Sequence, residues 1–338
     1  MKDLYNYSLL RHNTFGIAAE CSRFIEVGTV GEACLLPSML AGCDGPLLVL
    51  GGGSNLLLTG DFHGTVIHSA IKGMEHYVAS DGSIMLRVGS GETWDYVVEV
   101  CVENGWHGAE NLSLIPGEVG AVAVQNIGAY GAEASQIIHE TEAVDIATGR
   151  RLTFAAADCG YGYRQSRFKK EWKGRYLITH VIFRLSPVFR PFLEYGNITE
   201  MLHSKSIDTP TPHQLRQAII DIRRQKLPDV AVMGNAGSFF MNPVVERATF
   251  LHLKELYPDI PHYTLGDGRE KIPAGWLIEQ CGWKGRALGR AAVYDRQALV
   301  LVNLGGATGA DIVALCQAIQ HDVSRRFGID IAPEVNIV

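Results

Sequence analysis

Apolar and polar positions change rhythm several times along the chain, and each change predicts an element. Phe24-Ile25-Glu26-Val27, Leu47 to Leu50 and Thr65-Val66-Ile67 are apolar runs of strand length, while Gly31 to Leu40 carries helical spacing. Together they predict a small α/β unit. From Gly82 to Val88 the chain becomes richer in strands. Trp94, Val97, Val98 and Cys101 keep helical spacing, with Thr93 as the candidate N-cap and Asn104-Gly105 as the stop. Thr141 to Ile146 and Arg151 to Phe154, parted by Ala147-Thr148-Gly149, predict a hairpin. Tyr176 to Leu185 follows as a long strand.

Pro187 and Pro191 mark a boundary. Beyond it, Thr211-Pro212 opens a helix with Leu215, Ile219 and Ile222 on one face, and Leu227-Pro228 closes it. Asn235 to Asn242 reads as a glycine-interrupted turn, Pro273 to Cys281 as a helix and Ala298 to Leu304 as a strand. Thr308 caps a last helix that turns Ile312, Leu315, Ile319 and Val323 inward and ends at Gly328. The tail from Ile329 is expected to be extended, with Val335 and Ile337 on one face and Glu334 and Asn336 on the other.

Composition narrows the class. A chain of 338 residues suffices for two or three domains, and 47% hydrophobic with 20% charged residues describes a folded protein rather than a disordered one. The net charge of -6 argues against a nucleic-acid partner. Met1 to Asn6 has no apolar leader core, and no apolar run approaches the ~18 residues of a membrane span, so a cytoplasmic location without membrane insertion is expected. Seven scattered cysteines with no Cys-x-x-Cys are expected to be buried, reduced thiols. Twelve histidines without a His-Glu-x-x-His give no reason to expect a metal.

Candidate chemistry lies in two glycine-rich stretches. Ile115 to Gly131, IPGEVGAVAVQNIGAYG, sets Gly117, Gly120, Gly128 and Gly131 among small apolar residues, and Leu47 to Leu50 runs directly into Gly51-Gly52-Gly53-Ser54-Asn55. Backbone that turns tightly with exposed N–H groups can cradle a phosphate, to which Gln125, Asn126 and Tyr130 can add side-chain contacts. Either stretch alone could be a plain connection between strands. There is no Gly-x-Gly-x-x-Gly after a strand in the expected place and no Gly-x-x-x-x-Gly-Lys-[Ser/Thr], which argues against Rossmann and P-loop sites.

These motifs, Gly51 to Leu56, Pro116-Gly117 with Gly120-Ala121, and Gln125 to Gly131, resemble the FAD-binding motifs of the MurB family, the UDP-N-acetylenolpyruvoylglucosamine reductases. The likeness extends from Asn13-Thr14-Phe15 to Pro333-Glu334-Val335, in the longer, type I form. It implies a mixed α+β and α/β architecture of three domains: an FAD-binding fold of the vanillyl-alcohol-oxidase (PCMH) type in two subdomains, 1–70 and 71–187, and a substrate-binding domain, 188–328. The tail 329–338 would return to the first. The implied activity is NADPH-dependent, FAD-mediated reduction of UDP-N-acetylglucosamine enolpyruvate to UDP-N-acetylmuramate in peptidoglycan synthesis, by a monomer acting on small molecules.

The resemblance also assigns residues. FAD would be held by Gly51, Gly52, Gly53, Ser54, Asn55, Leu56, Pro116, Gly117, Gly120, Ala121, Gln125, Asn126, Gly128, Ala129, Tyr130 and Gly131, with Arg223 as a phosphate partner. Arg164, in Tyr161 to Lys169, would meet the substrate carboxylate, a task suited to a planar guanidinium. Ser238, in Gly234 to Phe240, would donate the proton, and Glu334 would face the reacting carbons. Tyr163, Tyr195, Lys226, Asn242 and Gln297 match substrate-side positions. Taken singly, Arg164 is a surface arginine, Ser238 a turn serine, Glu334 a solvated acid and Lys226 a cation at a helix C-terminus.

Ala123, Arg290 and Asn336 depart from the family pattern, where proline, glycine and arginine are common, and Glu118 is not an obvious help beside a phosphate loop. Two rival readings are an oxidase of the same fold and a catalytically silent flavin or UDP-sugar binder. The absence of an evident covalent-flavin motif, with Ser238, Lys226 and Glu334 together, argues against the first, and Arg164, Ser238 and Glu334 argue against the second.

Overall fold

The computed structural model describes residues 1–194 and 197–338, so Tyr195 lies outside the described residues. Two compact units share the chain: Met1–Tyr7, Cys21–Gly52 and His63–Arg224 form the first, Ser8–Glu20, Gly53–Phe62 and Gln225–Val338 the second.

Two sheets organise the first unit. One has strand order Lys2–Ser8, Glu20–Val27, Phe62–Ser69, Leu47–Leu50, the last two parallel. Two short helices, Val30–Ala33 and Leu36–Leu40, supply Ala33 and Leu36 to a core with Ile25, Val27 and Ile67. The sequence predicted a single helix here. Pro37, in the first turn of the second helix, has no N–H to donate to the preceding turn, so the ladder breaks.

The other sheet is antiparallel throughout, in the order Arg151–Ala155, Ile138–Asp145, Tyr176–Leu185, Ile84–Gly89, Met74–Val78. Tyr176–Leu185 is central and all but one of its residues are buried, which is why it reads as a near-continuous apolar run. Helices Trp94–Glu103 and Val119–Gln125 contribute Trp94, Val97, Val98, Val119 and Val122 to the core beside it. Thr93 precedes the first of these without a side-chain cap; instead Trp94 N donates to Gly117 O at 3.0 Å. Ile198, Leu202, Leu215, Ile219 and Ile222 pack the helices Ile198–Ser204 and Pro212–Lys226 together.

In the second unit an antiparallel sheet runs Gly234–Ser238, Val300–Asn303, Ala291–Val293, Ala287–Leu288. The helix Gly309–Phe327 buries Ile312, Leu315, Ile319 and Val323 as expected, starts on a Thr308–Asp311 capping box and ends on left-handed Gly328. Asn336–Ile337 pairs in parallel with Leu56–Leu57. The tail alternation holds for Val335, which is buried, and fails at Ile337, which is 44% exposed. Cys43 departs likewise from the expected burial of the thiols, being exposed. No helix among the described residues is long and apolar enough to cross a membrane.

Candidate functional site

In the first unit the strand Leu47–Leu50 delivers Gly51-Gly52 against the turn at Gly117. A Cβ on Gly52 would stand 3.3 Å from Gly117 Cα, and one on Gly51 would stand 3.4 Å from Ala121 Cβ. At Gly52 and Gly117 the two backbones meet directly. The glycine stretches recognised separately in the sequence are thus one structure. Pro116 is exposed just before the turn, and Gly120 N donates to Ser90 O at 2.8 Å. Val119 to Gln125 then forms a helix that the sequence reading did not anticipate, with Val119, Val122 and Ala123 buried. Glycine and alanine give no amphipathic pattern, so burial sets this helix rather than propensity.

Asn126 ends the helix in the left-handed region at φ 45°. Its buried carboxamide is a pin: Nδ2 donates to Glu133 Oε2 and to Gly162 O, both at 2.9 Å, and Oδ1 accepts from Ser135 N at 2.8 Å. These bonds engage the protein, so Asn126 shapes the loop instead of reaching outward. Gln125 differs, because its Oε1 is buried with no hydrogen-bond partner. Gly128-Ala129 pairs with Ala132-Glu133 around Tyr130-Gly131, and Asn111 Nδ2 donates to Tyr130 O at 2.9 Å.

The same pins set Arg164. Gly162 and Gln165 close a turn, Asn126 holds its start, and Ser166 Oγ donates to Val124 O at 2.7 Å beyond its end. Between them Arg164 is held at φ 55°, a strain of about 1–2 kcal/mol that survives because both flanks are tied. Its guanidinium donates to Gly128 O and lies 5.2 Å from the ring centroid of exposed Tyr163.

Arg216 forks onto Asp95, Nη1 to Oδ1 at 2.6 Å and Nη2 to Oδ2 at 3.1 Å, while Leu114 N donates to the same carboxylate. This fixes the helix Pro212–Lys226 through its portion in the first unit, and Arg223 lies two turns further along the same face. Arg223 Nε is buried without a partner. Burial lowers its pKa and Arg164 adds to that, against support from Tyr130 and Asp95. The bonds from Asn126 to Gly162, Ser166 to Val124 and Arg216 to Asp95 do not stand out in the sequence, since they join positions 36, 42 and 121 residues apart.

The second unit assembles Ser238 and Glu334. Asn13 ties the first turn, donating to Leu9 O and Ile17 O, and Thr14 next to it meets both Gly53 and Asn235: Thr14 N donates to Gly53 O at 3.2 Å and its Oγ1 to Asn235 O at 2.6 Å. Asn235 pairs with Val302 but Ser238 pairs with Val300, so Ala236-Gly237 form a bulge. The turn expected here is therefore a bulged strand. Ser238 emerges exposed, and one residue on Phe239 O accepts from Glu334 N at 2.8 Å. Phe240 bridges to Pro333, so the Ser238 strand and the tail run side by side.

Asn55 completes the patch, its Nδ2 donating to Glu334 O at 3.4 Å and its carbonyl accepting from both Asn336 N and Asn336 Nδ2. The departure at Asn336 therefore has a structural use. Ser54 is half-buried beside Gly53, and Leu56 is buried. Of the substrate-side positions, Asn242 Oδ1 accepts from Ala274 N at 2.9 Å at the start of a helix. Gln297 precedes the strand Val300–Asn303, and its carbonyl accepts from Val300 N at 3.0 Å. Lys226 is half-buried at a helix end.

The profile of the C-terminal domain of UDP-N-acetylenolpyruvoylglucosamine reductase matches residues 228–338, and that of an FAD binding domain matches 27–155. The reductase of that name from Bacteroides fragilis is 51% identical over 334 residues, covering 98% of this chain and 99% of the relative. The chain belongs to the UDP-N-acetylenolpyruvoylglucosamine reductase, or MurB, family. A MurB-family relative from Burkholderia vietnamiensis is 48% identical over 98% of this chain and 95% of its own length. The crystal structure of MurB from Thermus caldophilus covers 99% of the chain and 98% of its own, with a TM-score of 0.68 at 21% identity, and so shares the fold. As a MurB-family member with an FAD-binding domain, the protein is an FAD oxidoreductase.

The residues of the first unit fit that cofactor. A Cβ on Gly52 would press on the Gly117 backbone, so that loop pair depends on glycine, and the partnerless Gln125 Oε1 and Arg223 Nε are polar atoms of the kind a buried dinucleotide satisfies.

Proposed function

We propose that the protein uses NADPH to reduce UDP-N-acetylglucosamine enolpyruvate to UDP-N-acetylmuramate, with Ser238 as the proton donor. Gly51, Gly52, Gly117 and Gln125 would hold FAD, which would supply the hydride chemistry linking NADPH to the methylene carbon of the enol ether. Negative charge then builds on the adjacent carbon and its carboxylate. Arg164 pairs with that carboxylate through its planar guanidinium, and its pinned geometry limits the reorganisation needed as the charge grows.

Ser238 gives its hydroxyl proton to the carbon. A serine is a weak acid, and it serves only because the carbanionic centre is a strong base. Glu334, one hydrogen bond from the Ser238 strand, orients the reacting end. Lys226 and Tyr195 hold the substrate diphosphate, Arg223 the flavin phosphates, and Tyr163, Gln297 and the free end of Asn242 the remaining polar groups of the substrate. By function, residues 1–70 with the tail 329–338 and residues 71–187 are the flavin-binding parts, and 188–328 the substrate-binding part. We assign the work to a cytoplasmic monomer.

The observation that supports this reading best is the bulge at Ala236-Gly237, which leaves Ser238 exposed while the next residue holds the Glu334 backbone. Ser238→Ala is expected to keep its flavin and its reduction by NADPH, and to lose about 10²–10⁴-fold in turnover of the enol ether. Stopped-flow absorbance separates the two half-reactions. Undiminished reoxidation by the enol ether would remove Ser238 from the mechanism.

A further inference from the structure

Below the Gly51-Gly52 cradle lies a charged cluster that the reduction does not use. His68, on the strand Phe62–Ser69 opposite Leu50, is buried with Nδ1 3.1 Å from Glu26 Oε2 and Nε2 3.2 Å from both oxygens of Glu118. Glu118 directly precedes the helix Val119–Gln125. Its Oε2 would stand 3.5 Å from a Cβ on Gly51, and its Cγ 3.7 Å from one on Gly52. A carboxylate is thus built into the floor of a surface suited to phosphate.

The groups around His68 set the balance. Glu26 comes from the adjoining strand and Glu118 from the helix start, while Phe24 is the neighbouring ring. Lys2 reaches the far side of Glu26, Nζ to Oε1 at 2.6 Å, with Tyr7 beside Lys2. With His68 neutral, two carboxylates face one exposed lysine. With His68 charged, the cluster is neutral.

We infer that His68 is a positioning residue for the cofactor: charged, it cancels Glu118 and lets the Gly51-Gly52 floor accept the diphosphate, and neutral, it leaves Glu118 to repel it. This rests on the assignment of Gly51, Gly52 and Gly117 as the phosphate cradle. Burial alone would lower the His68 pKa, but its bonds and charge interactions with Glu118 and Glu26 outweigh burial and raise it. The charged form therefore persists to higher pH than in an ordinary histidine. Because the ligand prefers that form, affinity is full below the raised pKa and falls as pH climbs through it.

The test is the Kd of FAD for the deflavinated full-length protein, read by flavin fluorescence quenching at fixed ionic strength between about pH 6 and 9, where the diphosphate keeps its charge. Wild type should weaken about tenfold across that range. Glu118→Gln should bind at high pH as wild type does at low pH, with no slope. His68→Gln should be weak throughout, also without a slope.

A purely structural His68 would lower thermal stability without removing the slope. A flat wild-type profile, or a slope retained in Glu118→Gln, overturns the inference, and the Glu118→Gln arm decides even if His68→Gln fails to fold. Gly52→Val keeps the two readings apart. Loss of FAD affinity in Gly52→Val alongside a flat wild-type profile sinks only the role of His68. Unchanged affinity in Gly52→Val sinks the cradle assignment beneath it.

Discussion

In the first unit Arg164 is held at positive φ by side chains, Asn126 and Ser166, that grip the backbone on either side of it. Ser238 in the second unit makes no such side-chain bond of its own among the described residues and sits on a backbone ladder: a bulged strand against Val300 on one side and the tail through Glu334 N and Phe239 O on the other, with Asn235 Oδ1 accepting from Gly237 N at 2.9 Å inside the bulge. Side-chain pins hold strained loops open around a ligand and can be removed one atom at a time. Backbone ladders fix a short side chain rigidly, and no single side-chain truncation undoes them. Damage in the first unit should therefore appear as altered affinity and loop order, and damage at Ser238 as lost chemistry on an intact frame.

The largest expected effect tests that contrast directly, since Ser238→Ala removes one oxygen from a ladder that does not depend on it. Its loss of about 10²–10⁴-fold in turnover should come with an unchanged melting temperature. If the variant melted earlier, the hydroxyl would be part of the frame and the contrast would fail.

Next is Gly53→Ala, which attacks the ladder itself. A Cβ there would lie 1.9 Å from His12 O and 2.8 Å from Asn13 Cα, both backbone atoms, and φ is 62°. Overpacking and the left-handed penalty together should cost about 3 kcal/mol, measurable by urea unfolding. Ordinary stability would mean that the segment around Asn13 shifts freely and does not anchor the Asn235 end of the strand.

Asn126→Ala takes the pin from the first unit. Three hydrogen bonds at a buried position are lost, so about 2 kcal/mol of stability should go. The sharper readout is kinetic, because releasing the Gly162–Gln165 turn should raise KM for the enol ether more than it lowers kcat. An equal fall in both kcat and kcat/KM would mean that Arg164 does not need the pin to find its substrate.

Much of this frame was legible in the chain. Leu47–Leu50, Tyr176–Leu185, Pro212–Lys226 and the Thr308-capped helix stood out because periodicity, caps and terminators agree at each. The helix Val119–Gln125 and the Ser238 strand did not, since glycine and alanine carry neither a helical nor an alternating pattern. The glycine stretches announced a close backbone approach but not that they approach each other. Asp95 and Arg216 are 121 residues apart, and His68 and Glu118 are 50 apart. Nothing local distinguishes such pairs from surface charges.

Asp95 gives the smallest effect and the most specific one. Burial raises its pKa, but the Arg216 fork, the Leu114 N–H and the charges of Arg216 and Arg223 outweigh burial, so the net shift is downward. A folded pKa below the unfolded one means that the stabilisation is complete above the ordinary aspartate value, about 3.9, and is lost as pH falls through the folded value. Wild type should therefore lose stability on acidification more steeply than Asp95→Asn. At neutral pH Asp95→Asn should be the weaker by about 1 kcal/mol, a gap that closes as pH falls through the folded value. Parallel acid limbs in urea midpoints taken across that range would mean the fork is bypassed, leaving Arg223 to be placed by the packing of Leu215, Ile219 and Ile222 alone.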